Sequence, residues 1–228
     1  TEIPYYKNIG YAHLSDFFYI WLRRSLKPIF PILFYPIVTS KEELSTVDQY
    51  FGKDTQLSVQ IYESKLRTVI NKIYACSSTE YPALLFFEYH SVDEAAITAV
   101  SSSTGKQTPW EYFLGALVQA GFTVTATWPM RNEPASEKAD AVRMLIVASK
   151  VGKEGQITRR GFITTMKREL PGALDKMFLG EIDPCDRVLS AMGAGIAIYS
   201  RYQKVLNADA TEMSVHDALQ VIRLEVDE

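Results

Sequence analysis

The chain has 228 residues, 47% of them hydrophobic and 22% charged, enough for one large domain, or a domain with an appendage, around a full core. Its net charge of -3 excludes a global basic field of the kind that attracts nucleic acid, although local basic clusters remain possible. The two cysteines, Cys76 and Cys185, lie far apart and outside any CxxC pair, and the three histidines, His13, His90 and His216, are scattered; this argues against a zinc ribbon, a disulfide framework or a histidine metal site and suits a reducing cytoplasm.

The N-terminus lacks the basic region followed by an apolar stretch of a signal peptide. Residues 13–27 predict a helix, because Leu14, Phe17, Phe18, Trp21 and Leu22 fall on one stripe and Pro28 ends it. The longest apolar run, PIFPILFYPIV at 28–38, is short for a membrane span and carries three prolines. It is expected to be a buried loop or irregular strand, with no membrane partner. A second helix is expected over 55–75, with Leu57, Ile61, Leu66, Val69, Ile70 and Ile73 on one side.

The period then changes. YPALLFFEYHS (81–91) is a nearly continuous apolar run and predicts a strand buried on both faces. TPWEYFLGALVQA (108–120) predicts a helix: Thr108 as N-cap, Pro109 in the first turn, Glu111 completing a capping box, and Gly121 as the stop. FTVTATWPM (122–130) and AVRMLIVASK (141–150) predict two strands joined as an antiparallel hairpin at a sheet edge. VGKEGQ (151–156) reads as a linker. Beyond it the pattern is helical: 158–179, split or kinked at Pro171; a helix from Asp183 and Pro184 through Val188, Leu189, Met192 and Ile196; and a last helix capped by Ser214. The expected organisation is an α/β core at 1–150 and an all-helical region at 151–228.

No GxGxxG, P-loop, HExxH or GxSxG motif is present. The GAG of AMGAGIAIYS (191–200) lies in a helical pattern, where small residues permit close packing more readily than they bind phosphate. Arg159, Arg160, Lys167 and Arg168 make a basic helix face, a solvated surface on the bland reading and a phosphate contact on the sharper one. EIPYY (2–6) is the remaining candidate. Pro4 has a fixed φ and restricts Ile3. An acid and an aromatic flanking such a rigid step can hold a planar heterocycle, the ring stacking and the acid accepting hydrogen bonds from an exocyclic amine. The competing reading is a tyrosine-rich turn packed on the next helix.

The segment TEIPYYKNIGYAHLSDFFYIWLRRSL resembles the Asp-Pro-Pro-Tyr segment of the large adenine-specific DNA methylases. WEYFLGALVQAGFTVTATWPMRNE (110–133) resembles a helix and strand of that family, and RRGFITTMKRELPGAL and AIYSRYQKVLNADATEMSVHDAL resemble its C-terminal tail. The motifs occur in the family's order and cover both ends and most of the middle. The resemblance implies the C-terminal part of a Rossmann-like, S-adenosylmethionine-dependent methyltransferase sheet with an α-helical tail. It implies DNA as partner, a target adenine held out of the duplex, and a link to restriction-modification or phage defence. The Gly-rich S-adenosylmethionine loop is expected upstream of this sequence, in the other half of the enzyme, and the exposed edge of a half sheet predicts pairing with that half or with a second copy.

Carried over residue by residue, Glu2 takes the acid position, Pro4 the second proline and Tyr5 the stacking aromatic. Tyr6, Asn8 and Tyr11 are the accompanying substrate-side residues. Ile3 replaces the family's first proline, and Lys7 replaces an acid. Glu2 is a methylene longer than aspartate, and a misplacement of that size costs on the order of 10²-fold in rate. The alternative reading is therefore a catalytically degenerate module that binds DNA or a partner protein.

Overall fold

A computed structural model of the chain describes residues 2–3, 11–41, 55–90, 107–130, 141–178 and 186–227. The elements are β1 (Glu2–Ile3), α1 (Tyr11–Leu26), α2 (Thr55–Cys76), β2 (Ala83–His90), α3 (Pro109–Ala120), β3 (Thr123–Met130), β4 (Ala141–Ser149), β5 (Glu154–Thr158), α4 (Arg159–Phe178), α5 (Arg187–Ser200), β6 (Tyr202–Leu206) and α6 (Val215–Asp227). They divide into two compact units, Pro4–Leu66 and a larger one of Thr1–Ile3 with Arg67–Glu228. The protein is a mixed α/β molecule. Among the described residues no helix is long and apolar enough to cross a membrane.

The larger unit is built on a four-stranded sheet of order β1-β2-β4-β3. β1 runs parallel to β2, with Glu2 beside Phe86 and Ile3 beside Phe87. β4 is antiparallel to both β2 and β3. Hence β1, β2 and β3 share one direction, and β4 is slotted between the last two with the opposite one. α3 makes the crossover from β2 to β3. The hairpin expected from the sequence forms, with β3 as the outer strand. That position accommodates Pro129, since a residue without an N–H is tolerated at a sheet edge.

One face of this sheet is the core. Leu85 and Phe87 of β2 pair with Ile146 and Met144 of β4, and all four are buried. The Phe87 ring lies 4.8 Å from Phe113 and 5.4 Å from Trp110 of α3. The opposite face is not covered in the same way. Leu84 is 51% exposed, and Phe86, Leu145 and Val147 are half-buried. The expectation that β2 is buried on both faces is thus corrected. The strand is apolar on both faces, but α3 shields only one.

α3 begins and ends as its sequence predicts. Thr108 Oγ1 accepts from the Glu111 N–H at 3.3 Å, and Glu111 Oε2 accepts from the Thr108 N–H at 2.8 Å. Gly121 stops the helix at φ 104°, a left-handed conformation open to glycine at little cost.

The region after β4 departs from the all-helical expectation. β5 and β6 form a separate two-stranded parallel sheet, Thr158 opposite Leu206, bridged by α4 and α5. Both strands are short, with little more than Ile157 and Val205 turned inward, too few apolar residues to print a period on the sequence. α4 runs unbroken through Pro171. That residue lies on the exposed side, where solvent can satisfy the carbonyl that proline leaves unbonded. α5 uses its small residues for contact. A Cβ on Gly193 would stand 1.7 Å from Thr127 Oγ1 of β3, and one on Gly195 2.5 Å from Ile222 of α6. α6 is capped by Ser214, whose Oγ accepts from the Asp217 N–H at 3.1 Å while Asp217 Oδ2 accepts from the Ser214 N–H at 3.3 Å.

The smaller unit carries α1 and the returning segment over 27–41. Ala12 and Phe34 are buried, whereas the predicted stripe of α1 faces outward: Leu14, Phe17, Phe18, Trp21 and Leu22 are all exposed. The run at 28–38 is likewise exposed except at Phe34, and so is not the buried loop its composition suggests. The periodicity identified the helix correctly, but not what its apolar side meets.

Candidate functional site

The register of the sheet sets the candidate site. The chain leaves β1 after Ile3, which lies beside Phe87, leaves β2 at His90, and leaves β3 at Met130, which lies beside Arg143. Arg143 in turn faces Glu88. All three codirectional strands therefore end at the same margin of the sheet, at the levels of Phe87, Glu88 and His90. In open α/β sheets this carboxyl margin is where ligands bind, because the crossovers that start there leave a crevice.

Of the residues assigned to substrate or catalysis, Glu2 lies in β1 at this margin, two register steps before Glu88. Pro4, Tyr5, Tyr6 and Asn8 fall outside the described residues, as does the Glu2 side chain. Tyr11 is the first residue of α1 and is 59% exposed. It belongs to the smaller unit, whereas Glu2 belongs to the larger.

The margin also gathers residues that the sequence reading passed over. Glu88 and His90 are two apart on β2 and share a face, with His90 Nε2 3.7 Å from Glu88 Oε1. Arg143, Trp128 and Met130 occupy the same face by register. A carboxylate, an imidazole and a guanidinium at the rim of an apolar face form a polar edge able to orient a flat heterocycle. The signal was present in FFEYHS, where the apolar alternation gives way to Glu-x-His at the strand's carboxyl end. The nearly continuous apolar run before it, YPALLFF, hides that change of pattern.

Two other surfaces bear on function. A groove of about 410 Å³ follows β3 from Thr123 to Trp128 and is closed by Ala173 of α4 and Ala197 of α5. The hydroxyls of Thr123 and Thr127 are buried there without a hydrogen-bond partner. At the mouth, Glu169 is held by Arg201 and Arg168, whose hydrogen bonds, Arg201's first, keep its carboxyl below the usual range. The predicted basic face of α4 is divided in use: Lys167 pairs with Glu225 at 2.9 Å and Arg168 with Glu169 at 2.9 Å, while Arg159 and Arg160 stand exposed beside Asn207.

Among the described residues there is no cradle for S-adenosylmethionine. Gly193 and Gly195 are filled by Thr127 and Ile222, and among the described residues no glycine stands in a strand-to-helix turn of the four-stranded sheet. No family model, no curated protein and no solved structure matches this chain.

Proposed function

We propose that the chain supplies the amine-holding half of an S-adenosylmethionine-dependent methyltransferase acting on the exocyclic amine of adenine in DNA. The observation that carries this reading is the register of Glu2 and Ile3, the described part of EIPYY. Glu2 and Ile3 form a strand parallel to β2, so the motif leaves the sheet at its carboxyl margin, where a base-holding loop is required. The neighbouring Glu88 and His90 add acceptor and donor groups at the same rim. The antiparallel β4 beside codirectional β1, β2 and β3 supports the reading as the closing portion of a larger sheet. On this view Glu2 accepts a hydrogen bond from the amine, the Pro4 step holds the backbone carbonyl toward it, and Tyr5 stacks on the base. On this reading the main S-adenosylmethionine loop lies outside the described residues.

The second reading, a binding module without transfer activity, rests on Glu2 and Ile3, the two letters that depart from Asp-Pro-Pro at the positions where the amine is aligned. Transfer of labelled methyl from S-adenosylmethionine to DNA by the longest natural protein carrying this sequence separates the two. Transfer that Glu2→Ala abolishes supports the first. DNA binding without transfer to any DNA supports the second, and transfer unchanged by Glu2→Ala removes EIPYY from the chemistry.

A further inference from the structure

We infer that the groove along β3 is a binding site for a small, flat aromatic carboxylate bearing a hydrogen-bond acceptor at its far end. The inference is independent of the methyltransferase reading. The groove is formed wholly within the larger unit, by β3, α4 and α5. Two contacts fix how α5 lies on β3. The Val124 N–H donates to Ser200 Oγ at 2.9 Å, and Gly193 packs against Thr127. α5 therefore runs antiparallel to β3, with Arg201 toward the Thr123 end of the groove and Ala194 toward the Trp128 end. α4 is tied to the same end by Glu169, whose carboxylate accepts from Arg201.

The volume comes from small side chains. α5 turns Ala194, Ala197, Ile198 and Arg201 to the groove, and α4 turns Glu169, Ala173 and Lys176, each set spaced by three or four residues along one helix face. With alanine at three of these positions, about 410 Å³ remains between the helices and the strand. That lies inside the range of small-molecule sites, about 300–1,000 Å³. At one end Trp128, 43% exposed, offers a flat apolar surface. The charges select an anion. Two cations and one carboxylate line the groove, and the carboxylate is already taken: Glu169 Oε1 accepts from Arg168 at 2.9 Å and Oε2 from Arg201. Lys176 has no ion pair or hydrogen bond among the described residues. It stands seven residues after Glu169, about 10 Å further along α4. The floor supplies a donor. Thr123 and Thr127 have buried hydroxyls without a partner, and that of Thr127 is shut off by Gly193. Thr123 is left as an unpaired donor at the end away from Trp128, and a buried donor of this kind marks a place for an acceptor. A ligand with its ring against Trp128, its carboxylate on Lys176 and an acceptor toward Thr123 satisfies all three.

Calorimetric titration of the 228-residue chain with 6-hydroxynaphthalene-2-carboxylate tests this. The expected result is saturable binding at a single site. Affinity is expected to fall about tenfold in Lys176→Gln, and by the same factor for the carboxamide on the wild-type chain, the loss of one hydrogen bond to a charged group. Thr123→Val should also weaken binding, and Ala197→Phe, which fills the groove, should abolish it. If Ala197→Phe disturbs the circular dichroism, Ala173→Leu serves instead. Arg223→Gln, on α6 and outside the groove, is expected to change nothing. Absence of saturable binding, equal affinity for acid and carboxamide, or binding that survives a folded, filled variant overturns the proposal. So does binding of a blocked tetra-alanine peptide in place of the naphthoate, which would make the groove an edge for strand addition.

Discussion

Glu111 and His216 lie 105 residues apart in the chain, and Glu111 Oε1 stands 3.0 Å from His216 Nδ1. The other oxygen of the same carboxylate accepts from the Thr108 N–H. One buried side chain therefore both starts α3 and ties it to α6, coupling the crossover of the main sheet to the last helix of the chain. Glu111→Ala removes both roles. It is expected to lower stability by about 1–3 kcal/mol, a cap plus a charge-assisted hydrogen bond. Glu111→Gln keeps an acceptor for the Thr108 N–H and is expected to cost less. Urea denaturation of the two variants, followed by circular dichroism, checks the order; equal losses would assign the effect to the carboxylate's tie to His216 and not to the cap.

The packing of α5 allows a sharper comparison between glycines. Gly193→Ala places a methyl 1.7 Å from Thr127 Oγ1, which cannot occur without parting α5 from β3. A loss of more than about 2 kcal/mol is expected, within the range of overpacking. Gly172→Ala meets nothing within 4 Å in the interior of α4, and is expected to stabilise by about 0.5–1 kcal/mol through helix propensity. Thermal denaturation should move the two midpoints in opposite directions.

Acid stability should depend on Glu169. Its carboxyl is held down first by Arg201, then by Arg168. A depressed folded value means that the stabilisation is present above the ordinary value of 4.5 and is lost as pH falls through the lower folded value. Glu169→Gln should flatten the stability profile below about pH 4.5 relative to wild type, and leave the slope above it unchanged. The observable is the urea midpoint measured across that range.

At the alkaline end, Tyr199 is the group to test. Its hydroxyl donates to the Met213 carbonyl at 2.7 Å inside the packing of α5 against the segment leading to α6. Burial first, then Glu212 and Asp217, push its pKa up to about 12. A raised value means stability fully present below the ordinary value of 10 and lost as pH rises toward 12. Tyr199→Phe should cost about 1–2 kcal/mol at neutral pH, because the buried carbonyl loses its donor. It should also remove part of the loss above pH 10.

Particular elements show which parts of the fold could be read in advance. The capping box of TPWE, the Gly121 stop and the Ser214 cap were legible because each is a hydrogen bond between residues three or four apart. β3 and β4 were legible because β-branched alternation survives in a strand with one covered face. β5 and β6 were not, since a parallel pair of short strands declares itself only when its distant partner is present. The candidate site was half legible. EIPYY drew attention for its chemistry, whereas Glu88, His90 and Arg143 became part of the same margin only through the register of β2 against β1 and β4.

The sequence by itself determined the local grammar of this protein: where helices begin and stop, which stretches extend, and the rigid acid–aromatic step at its start. The tertiary structure decided what each apolar or small face meets. It turned the stripe of α1 outward, covered β2 on one side, and set Gly193 against Thr127 and Gly195 against Ile222. It also slotted β4 between β2 and β3. The physical reason is one of range. Caps and turns are satisfied within a few residues, while burial is a property of surfaces brought together from distant parts of the chain.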